Sequence, residues 1–472
     1  MSDMNKLLSY LEGHGREQSL SETSMTLEEQ RKQDDIIIKQ MADATGVTYS
    51  DEQLDILKHR GGMCILACAG SGKALKNGTG VLTPNGYVPI EELKVGDICY
   101  DVNGEEQEVL GVFPQGKKEI YNVKFSDRSV IPCCSDHLWT YQTYNMRRTT
   151  KKWKTDTLEY ILNNVPISVY PHTNKKGETQ NRANIYIPMA KAIQFSKKEL
   201  PIKPYLMGAL LGDGGLKSSA VNCSYSFTND DEDIVNRVNS ELMAVDAYLS
   251  FSKDHYNIVV GSGYGHNNTE GLFTIILKEL GLKDTGSHNK FIPEIYKLSS
   301  IEDRLEILKG LIDTDGHCKG SSYEITLASE RLIDDIKFIA ESLGMTAVKS
   351  DKIAVCLNPV YNKETEVYRL YIKTSDDIPK IHWSERREKQ WKKGQSSARR
   401  TIVEIEKTGK YSEMTCIQVS GQSELFITEN CIVTHNTTVL THLIAKRILS
   451  GEIKNPDTLM CTTYSKAGAT EM

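Results

Sequence analysis

The stretch ACAGSGKALKNGTG, residues 67–80, begins like a phosphate-binding loop but does not complete one. Such a loop needs a glycine-rich turn, a lysine and then a serine or threonine that opens a helix. Here Ala74 follows Lys73, and the missing hydroxyl residues stand much later, in the run TTVL that begins at Thr437. Joining Lys73 to Thr437 would complete the loop, so residues 74–436 are predicted to be an insert that leaves the chain.

The downstream end of this insert has the chemistry needed to cut a peptide chain. Asn436 can attack its own carbonyl carbon with its side-chain amide, and the adjacent His435 can assist by proton transfer. Thr437 supplies a hydroxyl that can accept the upstream fragment. This junction resembles the downstream end of an intein, a self-splicing protein insert. The splice junctions are therefore predicted at Lys73–Ala74 and at Asn436–Thr437.

The length and composition favour a chain of several domains whose cysteines are free thiols. A chain of 472 residues is long enough for about two to four domains that each bury a core. Its net charge of −6 argues against a general polyanion binder, so contacts to nucleic acid would need local basic patches. Eleven cysteines without CxxC pairs are typical of free thiols in a reducing compartment. With no apolar run of membrane-spanning length and no signal peptide, we expect a cytoplasmic monomer without membrane contact.

The pieces outside the insert have the pattern of a nucleotide-binding domain. A capped helix start that carries Gln53 precedes the short apolar run MCILA and the interrupted loop. This order resembles the start of UvrD/Rep-like superfamily 1 DNA helicases, which implies an α/β P-loop domain in residues 1–73 and 437–472 that binds ATP and Mg²⁺. The implied nucleotide-binding residues are Gln53, Gly70, Ser71, Gly72, Lys73, Thr437 and Thr438, and Thr437 would also bind the magnesium. We expect these pieces to be part of a helicase that is inactive until the insert has left.

Short alternating runs on both sides of the insert predict an all-β splicing domain. The segment LTPNGYVPIEELKVGD, residues 82–97, predicts a strand, a turn, a short helix and another turn. Further strands are predicted at 108–112, 120–125, 128–132, 401–408, 414–419, 424–428 and 431–434. Residues 82–97 resemble the opening block of the Hint domains of inteins. That resemblance assigns residues 74–170 and 395–436 to the splicing domain.

Ala74 departs from the usual intein pattern, because alanine has no nucleophile to attack the preceding carbonyl. Either the insert is inert, or a nucleophile is recruited from elsewhere. The chain resembles class 3 inteins, whose pattern of Trp, Cys and Thr is matched by Trp139, Cys416 and Thr434, with His137 as the block histidine. Taken singly, these residues are more often core or strand residues. Their combination with a non-nucleophilic first residue favours the splicing assignment.

The resemblance to class 3 inteins also implies a role for each residue. Cys416 would attack the Lys73 carbonyl, and His137 would protonate the departing amide of Ala74. The second histidine common in this family is replaced by Glu424, which leaves His435 to assist the cyclisation of Asn436. None of these steps needs a cofactor.

The middle of the insert holds two copies of one helical pattern. LMGALLGDG, residues 206–214, and LKGLIDTDG, residues 308–316, place Asp213 and Asp315 102 positions apart (315 − 213). Small residues at Gly208, Gly212 and Gly310 would let the two helices pack closely. Each helix then delivers one carboxylate, and two carboxylates on a pseudo-twofold axis can hold a divalent metal against a scissile phosphate.

The two copies resemble a double-motif LAGLIDADG homing endonuclease of α/β fold. This implies Mg²⁺ at Asp213 and Asp315, and double-stranded DNA of the uninterrupted host gene as substrate. The segment NKFIP resembles the block whose lysine assists cleavage, so Lys290 is a candidate to activate water or stabilise phosphate charge. The alternative is a solvated lysine. The region is assigned to residues 171–394.

Two clusters of cations flank the endonuclease region and are candidates for tracking DNA phosphates. The first surrounds Trp153 and the second surrounds Trp391. Their cations are Arg147, Arg148, Lys151, Lys152 and Lys154 in the first, and Arg386, Arg387, Lys389, Lys392, Lys393, Arg399 and Arg400 in the second.

Three other functions remain open at this stage. The chain could be a helicase fragment with an inert insertion, or an endonuclease whose splicing has been lost. It could also hold a Hint domain that cleaves without joining the outer pieces.

Overall fold

The computed structural model describes residues 32–40, 74–173, 177, 179–217, 225–261, 271–358, 361–374, 378–392, 398–421 and 423–435. They fall into two compact units that divide between Met189 and Ala190 and again between Arg399 and Arg400. The first unit is discontinuous in sequence and the second lies between its halves. No helix of the described residues is long and apolar enough to cross a bilayer.

The first unit is built almost entirely from strands, as predicted for the splicing domain. One helix, α1, covers residues 32–40. The strands before the second unit are β1 (Leu75–Lys76), β2 (Gly80–Thr83), β3 (Gly86–Pro89), β4 (Ile98–Tyr100), β5 (Glu106–Phe125), β6 (Val130–Cys133), β7 (Leu138–Thr143), β8 (Lys154–Thr157), β9 (Ser168–Thr173), β10 (Thr179–Ala183) and β11 (Ile185–Ile187). Two short helices, α2 (Tyr144–Arg148) and α3 (Leu158–Asn164), lie among them.

The strand order of the first unit brings its two halves together. Its largest sheet runs β4-β5-β6-β1-β20-β11-β7-β8, where β20 is Arg400–Val419, and β5 also pairs with β20. A second sheet runs β22-β21-β2-β3, where β21 is Leu425–Thr428 and β22 is Ile432–His435. Both sheets therefore combine strands from before and after the second unit, and their apolar faces share one core around Trp139 and Phe125.

Two of the predicted strand boundaries were wrong. The strands predicted at 401–408 and 414–419 form one continuous strand, β20, and those predicted at 108–112 and 120–125 form β5. The two long strands pair along their length and absorb the turn residues between them by register shifts, one of which lies between Lys407 and Tyr411. A β-bulge accommodates an extra residue without ending the ladder.

The predicted border at residue 170 also differs from the border of the compact units. Strand β11 pairs with β20 and with β7, which places it inside the large sheet of the first unit. The second unit begins only at Ala190 and ends at Arg399.

The second unit contains two copies of one α/β arrangement. The first copy comprises α4 (Pro204–Asp213), β12 (Gly214–Gly215), β13 (Tyr225–Phe227), α5 (Glu232–Leu242), β14 (Ala247–Ser252), β15 (His255–Val260) and α6 (Leu272–Glu279). After α7 (Glu294–Lys297), the second comprises α8 (Ile301–Thr314), β16 (Gly316–Lys319), β17 (Ser322–Leu327), α9 (Glu330–Ser342), β18 (Thr346–Asn358), β19 (Tyr361–Lys373) and α10 (Glu385–Gln390). The sheet orders β12-β13-β15-β14 and β16-β17-β19-β18 are the same.

Helices α4 and α8 pack against each other through glycine, as the sequence predicted. A Cβ atom placed on Gly208 would meet the backbone carbonyl of Ile307, and one placed on Gly310 would meet that of Tyr205. Both contacts would be far closer than real Cβ atoms allow, and backbone cannot move aside as a flexible side chain can. The two helices lie this close because neither glycine has a side chain.

We expect Gly310→Ala to destabilise the second unit by about 1–3 kcal/mol, because the added methyl group must push the helices apart. Thermal or denaturant unfolding of the chain measures this loss. Gly286→Ala is the matched control, since its Cβ would meet only the end of the flexible Lys217 side chain. Equal stability of both variants would contradict the packing described.

Candidate functional sites

The splicing residues meet around the short segment that joins β6 to β7. This segment carries Cys134 and His137, and Trp139 follows at the start of β7. All three side chains are buried. One end of the segment contacts Ala74, and the other contacts β22, the strand that ends at His435.

Ala74, the first residue of the predicted insert, is completely buried between two strands. The next residue, Leu75, pairs with Cys133 of β6 and with Thr415 of β20. Because both pairings are antiparallel, one step back along β1 places Ala74 between Cys134 and Cys416. Residues that face each other in this way hold their Cβ atoms about 5 Å apart on one side of the sheet. The strand register therefore places the first residue of the predicted insert between two buried thiols.

Two hydrogen bonds, one to the backbone and one to the side chain of Cys134, fix Ala74 against this residue. The Cys134 amide donates to the Ala74 carbonyl oxygen at 3.2 Å. The Ala74 amide, which is the nitrogen of the predicted scissile bond, donates to the Cys134 Sγ at 3.4 Å. No sequence pattern singled out Cys134 for a role, although it stands where this family usually has threonine.

The structure brings His137, Trp139 and Thr434 together. The Nε2 atom of His137 is hydrogen-bonded to the Thr434 hydroxyl in the buried interior. The indole ring of Trp139 meets the His137 ring edge-on, with the ring centroids 5.4 Å apart. Because Trp139 is itself wedged against Phe125, it holds the imidazole in one orientation. These contacts connect the segment after β6 to the final strand, β22.

Cys416 approaches the site from the opposite side of β1. It lies in β20, is buried, and is directly opposite Phe113 of β5. In the large sheet β1 lies between β20, which carries Cys416, and β6, which leads to the segment of Cys134 and His137.

His435, the last described residue before the predicted downstream junction, has an acidic neighbour to which the sequence assigned no role. In the β21–β22 pair Leu425 faces His435, so Glu424 lies just beyond this pair. The Glu424 carboxylate is 3.6 Å from the His435 Nε2, and both side chains are about nine-tenths buried. Glu424 has a left-handed backbone, with φ at 52°. It occupies the position of the missing histidine and lies beside the remaining one.

Several predicted residues lie outside the described residues. They are Gln53, Gly70, Ser71, Gly72, Lys73, Asn436, Thr437 and Thr438. Their assignment to the splice junctions or to nucleotide binding stays a prediction.

In the second unit, Asp213 and Asp315 lie at the neighbouring ends of α4 and α8. A Cβ on Gly212 would lie 3.3 Å from the Asp315 Oδ2, so this carboxylate reaches the last turn of α4. Burial raises the pKa of Asp213 to about 6, against a hydrogen bond from Asn229, and the nearby Asp315 adds to the rise. Burial likewise raises the pKa of Asp315. The two carboxylates thus share one partly dehydrated site.

Lys290 is buried and caps the end of α4. Its Nζ atom donates to the carbonyl oxygens of Leu210, Leu211, Gly212 and Gly214, at distances of 3.1, 2.8, 2.9 and 2.7 Å. Burial lowers the pKa of Lys290 to about 8, against the attraction of Asp315 and Asp213. The alternative of a solvated lysine is therefore wrong. The ammonium group neutralises the carbonyl end of the helix that presents Asp213.

Arg387 does the same for α8. Its guanidinium donates to the carbonyl oxygens of Ile312, Asp313 and Thr314, at 3.0, 3.0 and 2.9 Å. These carbonyls are the counterparts, 102 positions later, of those of Leu210, Leu211 and Gly212. Lys290 and Arg387 are thus equivalent caps of the two helices.

The second basic cluster was partly misassigned. Arg387 is buried against α8, and Arg400 is buried in the first unit, where it pairs with Asp127 at 2.6 Å. Neither side chain can follow a DNA backbone, because both are saturated by buried oxygens. In the first cluster Arg148, Lys151 and Lys152 are exposed. Arg147 is partly buried and lies 4.2 Å above the ring of Tyr186.

The paired aspartates fit a divalent cation. Within the described ranges, no group of three or more His, Cys, Asp or Glu side chains converges on one point. Magnesium is commonly bound through only one or two carboxylates, with water and substrate phosphate as the other ligands. Asp213 and Asp315 supply hard oxygen donors of this kind, and phosphate of a bound nucleic acid would complete the set.

One known family and several solved structures are similar to parts of this chain. Residues 302–382, which include α8 except for its first residue, match the LAGLIDADG-like domain. A crystal structure of the gp41-1 intein is similar at 26% identity and a TM-score of 0.17, covering 24% of this chain and 78% of that one. A structure of variants of the homing endonuclease I-DmoI is similar at 20% identity and a TM-score of 0.24, covering 37% and 88% of the two chains.

A curated relative extends over most of the sequence. The replicative DNA helicase DnaB of Mycobacterium intracellulare is 24% identical over 422 residues, which are 84% of this chain. The chain spans 66% of the length of that relative. The predicted UvrD/Rep type of host is not tested by this similarity and stays a prediction. The chain is therefore similar to a LAGLIDADG-like domain in residues 302–382 and, at 24% identity, to a replicative DNA helicase over most of its length.

Proposed function

We propose that residues 74–436 excise themselves and join Lys73 to Thr437, which completes the phosphate-binding loop of a helicase. The observation that carries this proposal is the position of Ala74 between Cys134 and Cys416. A buried thiol beside a residue without a nucleophile supplies the attacking atom that the junction itself lacks.

The first step is attack of the Cys416 sulfur on the Lys73 carbonyl carbon. A carbon–sulfur bond forms, the bond to the Ala74 nitrogen breaks, and that nitrogen must receive a proton, since an amine cannot leave as an anion. The resulting thioester passes the upstream fragment to the Thr437 oxygen. Cyclisation of Asn436 then breaks its bond to Thr437, and the ester rearranges to the peptide. These steps need no cofactor.

The contacts of the first unit support the coupling of these steps. His137 connects the segment that holds Ala74 to the strand that ends at His435 through its hydrogen bond with Thr434. Both junctions are thereby attached to one short segment of chain, which shortens the path of the acyl group between Cys416 and Thr437.

Intact-mass measurement after expression tests this function. Splicing yields a product made of residues 1–73 joined to 437–472, together with the free insert. Uncut chain alone would show an inert insert, and separate outer fragments without the joined product would show cleavage without ligation.

We expect Glu424→Gln to slow cleavage at Asn436 by roughly ten- to a hundredfold, because the neutral amide cannot support charge on His435. The rate is best measured in a Cys416→Ala chain, in which only the downstream cleavage remains. Glu413→Gln, at an exposed position of the same unit, is the control. Unchanged cleavage in the Glu424 variant would show that the carboxylate plays no part.

We propose further that the second unit cleaves double-stranded DNA of the uninterrupted host gene. Asp213 and Asp315 would hold Mg²⁺, which polarises the scissile phosphate when bound. Lys290 and Arg387 neutralise the helix ends behind the carboxylates. The joined host would bind ATP and Mg²⁺ through the completed loop.

A further inference from the structure

The upstream bond can break only if a proton reaches the nitrogen of Ala74, and this site is buried. The predicted donor was His137. Its Nε2 atom is hydrogen-bonded to the Thr434 hydroxyl, which ties this nitrogen to the downstream strand. The Ala74 amide itself donates to the Cys134 Sγ, at 3.4 Å, so the Cys134 sulfur lies closest to the reacting nitrogen among the contacts described.

We propose that the Cys134 thiol protonates the Ala74 nitrogen as the upstream bond breaks. The assignment rests on the proposed splicing function and makes Cys134 a catalytic residue, because its sulfur touches a reacting atom. The intact amide donates its hydrogen to this sulfur. Once the Lys73 carbonyl carbon becomes tetrahedral, the nitrogen gains a lone pair and can accept the S–H proton.

The state of the thiol suits this role. Burial raises the pKa of Cys134 above its ordinary value, although the Ala74 amide and Lys118 oppose the rise. The thiol therefore keeps its proton at neutral pH. Two hydrogen bonds to Ala74 hold the residue in register with the bond that breaks.

The protons balance without an outside reagent. Cys416 loses its S–H proton when it becomes a thioester, and the Ala74 nitrogen gains the proton of Cys134. Return of the first proton to Cys134 restores its thiol. The two cysteines on either side of Ala74 thus act as a pair, one as nucleophile and one as acid.

The test compares Cys134→Ala and Cys134→Ser in otherwise unchanged chains. Upstream cleavage is followed as release of residues 1–73 by hydroxylamine, and downstream cleavage as release of residues 437–472. We expect the alanine variant to lose at least about a hundredfold in the upstream rate. Its downstream rate should remain within about threefold of the rate in the Cys416→Ala chain, whose upstream step is also blocked, and this shows that the unit is folded. The serine variant, whose hydroxyl can donate, should be at least about tenfold faster upstream than alanine.

Two results would overturn the assignment: a normal upstream rate in the alanine variant, or equal rates for serine and alanine. If alanine abolishes both cleavages through misfolding, serine decides. Upstream cleavage within about a hundredfold of normal then supports the acid role. Its complete loss, whether or not downstream cleavage persists, rejects it. An unmodified chain without upstream cleavage would instead overturn the proposed splicing function, and this assignment with it.

Discussion

Cys416→Ala should abolish joining of the outer pieces and reduce upstream cleavage by at least about a thousandfold. Cys416 is buried in β20, opposite Phe113 and one residue from Thr415, which pairs with β1. The methyl side chain of alanine keeps the Cβ atom and removes the sulfur, which is the nucleophile. We therefore expect uncut chain, with slow cleavage at Asn436 as the remaining reaction.

Cys99→Ala is the matched control for this variant. Cys99 is a buried thiol of the same unit that pairs with Gln107 in the ladder of β4 and β5. The Cys99→Ala substitution removes the same buried sulfur atom at a position that does not pair with β1. Intact-mass spectra should show the joined product for Cys99→Ala and uncut chain for Cys416→Ala. A normal yield of joined product from Cys416→Ala would reject Cys416 as the nucleophile.

Asp213→Asn and Asp315→Asn should each reduce DNA cleavage by at least about a thousandfold while leaving splicing unchanged. Each substitution removes one of the two carboxylates that fit a divalent cation at the ends of α4 and α8. An amide keeps the shape and the hydrogen bonding of the buried group, but it lacks the charge that binds the metal.

Nicking of a plasmid that carries the uninterrupted host gene, with Mg²⁺ present, measures this loss. Asp233→Asn is the control, because Asp233 is an exposed carboxylate of the same unit. Normal nicking by both site variants would show that the aspartates are structural. Loss of splicing in the same variants would show that the two activities are not separable.

The sequence was sufficient to predict the residues that are recognised by residue type and by their spacing within a motif. The two helical motifs predicted the glycine contacts of α4 and α8 and the shared position of Asp213 and Asp315. The motif comparison likewise selected His137, Trp139 and Thr434, which the structure brings together.

What the sequence could not predict depends on strand register and on burial. The role of Cys134 follows from the pairing of β1 with both β6 and β20, and a two-residue strand carries no pattern that reveals its partners. Lysine and arginine are usually exposed to solvent, so nothing in the sequence indicated that Lys290 and Arg387 would be buried. Their position as helix caps follows only from the return of a distant loop to the end of α4 and of α10 to the end of α8.

The most direct test is to locate the upstream fragment while it is attached to the insert. In an Asn436→Ala chain the downstream bond cannot break, so the thioester and its ester product should accumulate. Peptide mapping after rapid acid quenching should find residues 1–73 bound through Lys73 to Cys416 or, after transfer, to Thr437. Attachment of that fragment to any other side chain, or its loss without a covalent intermediate, would contradict the account.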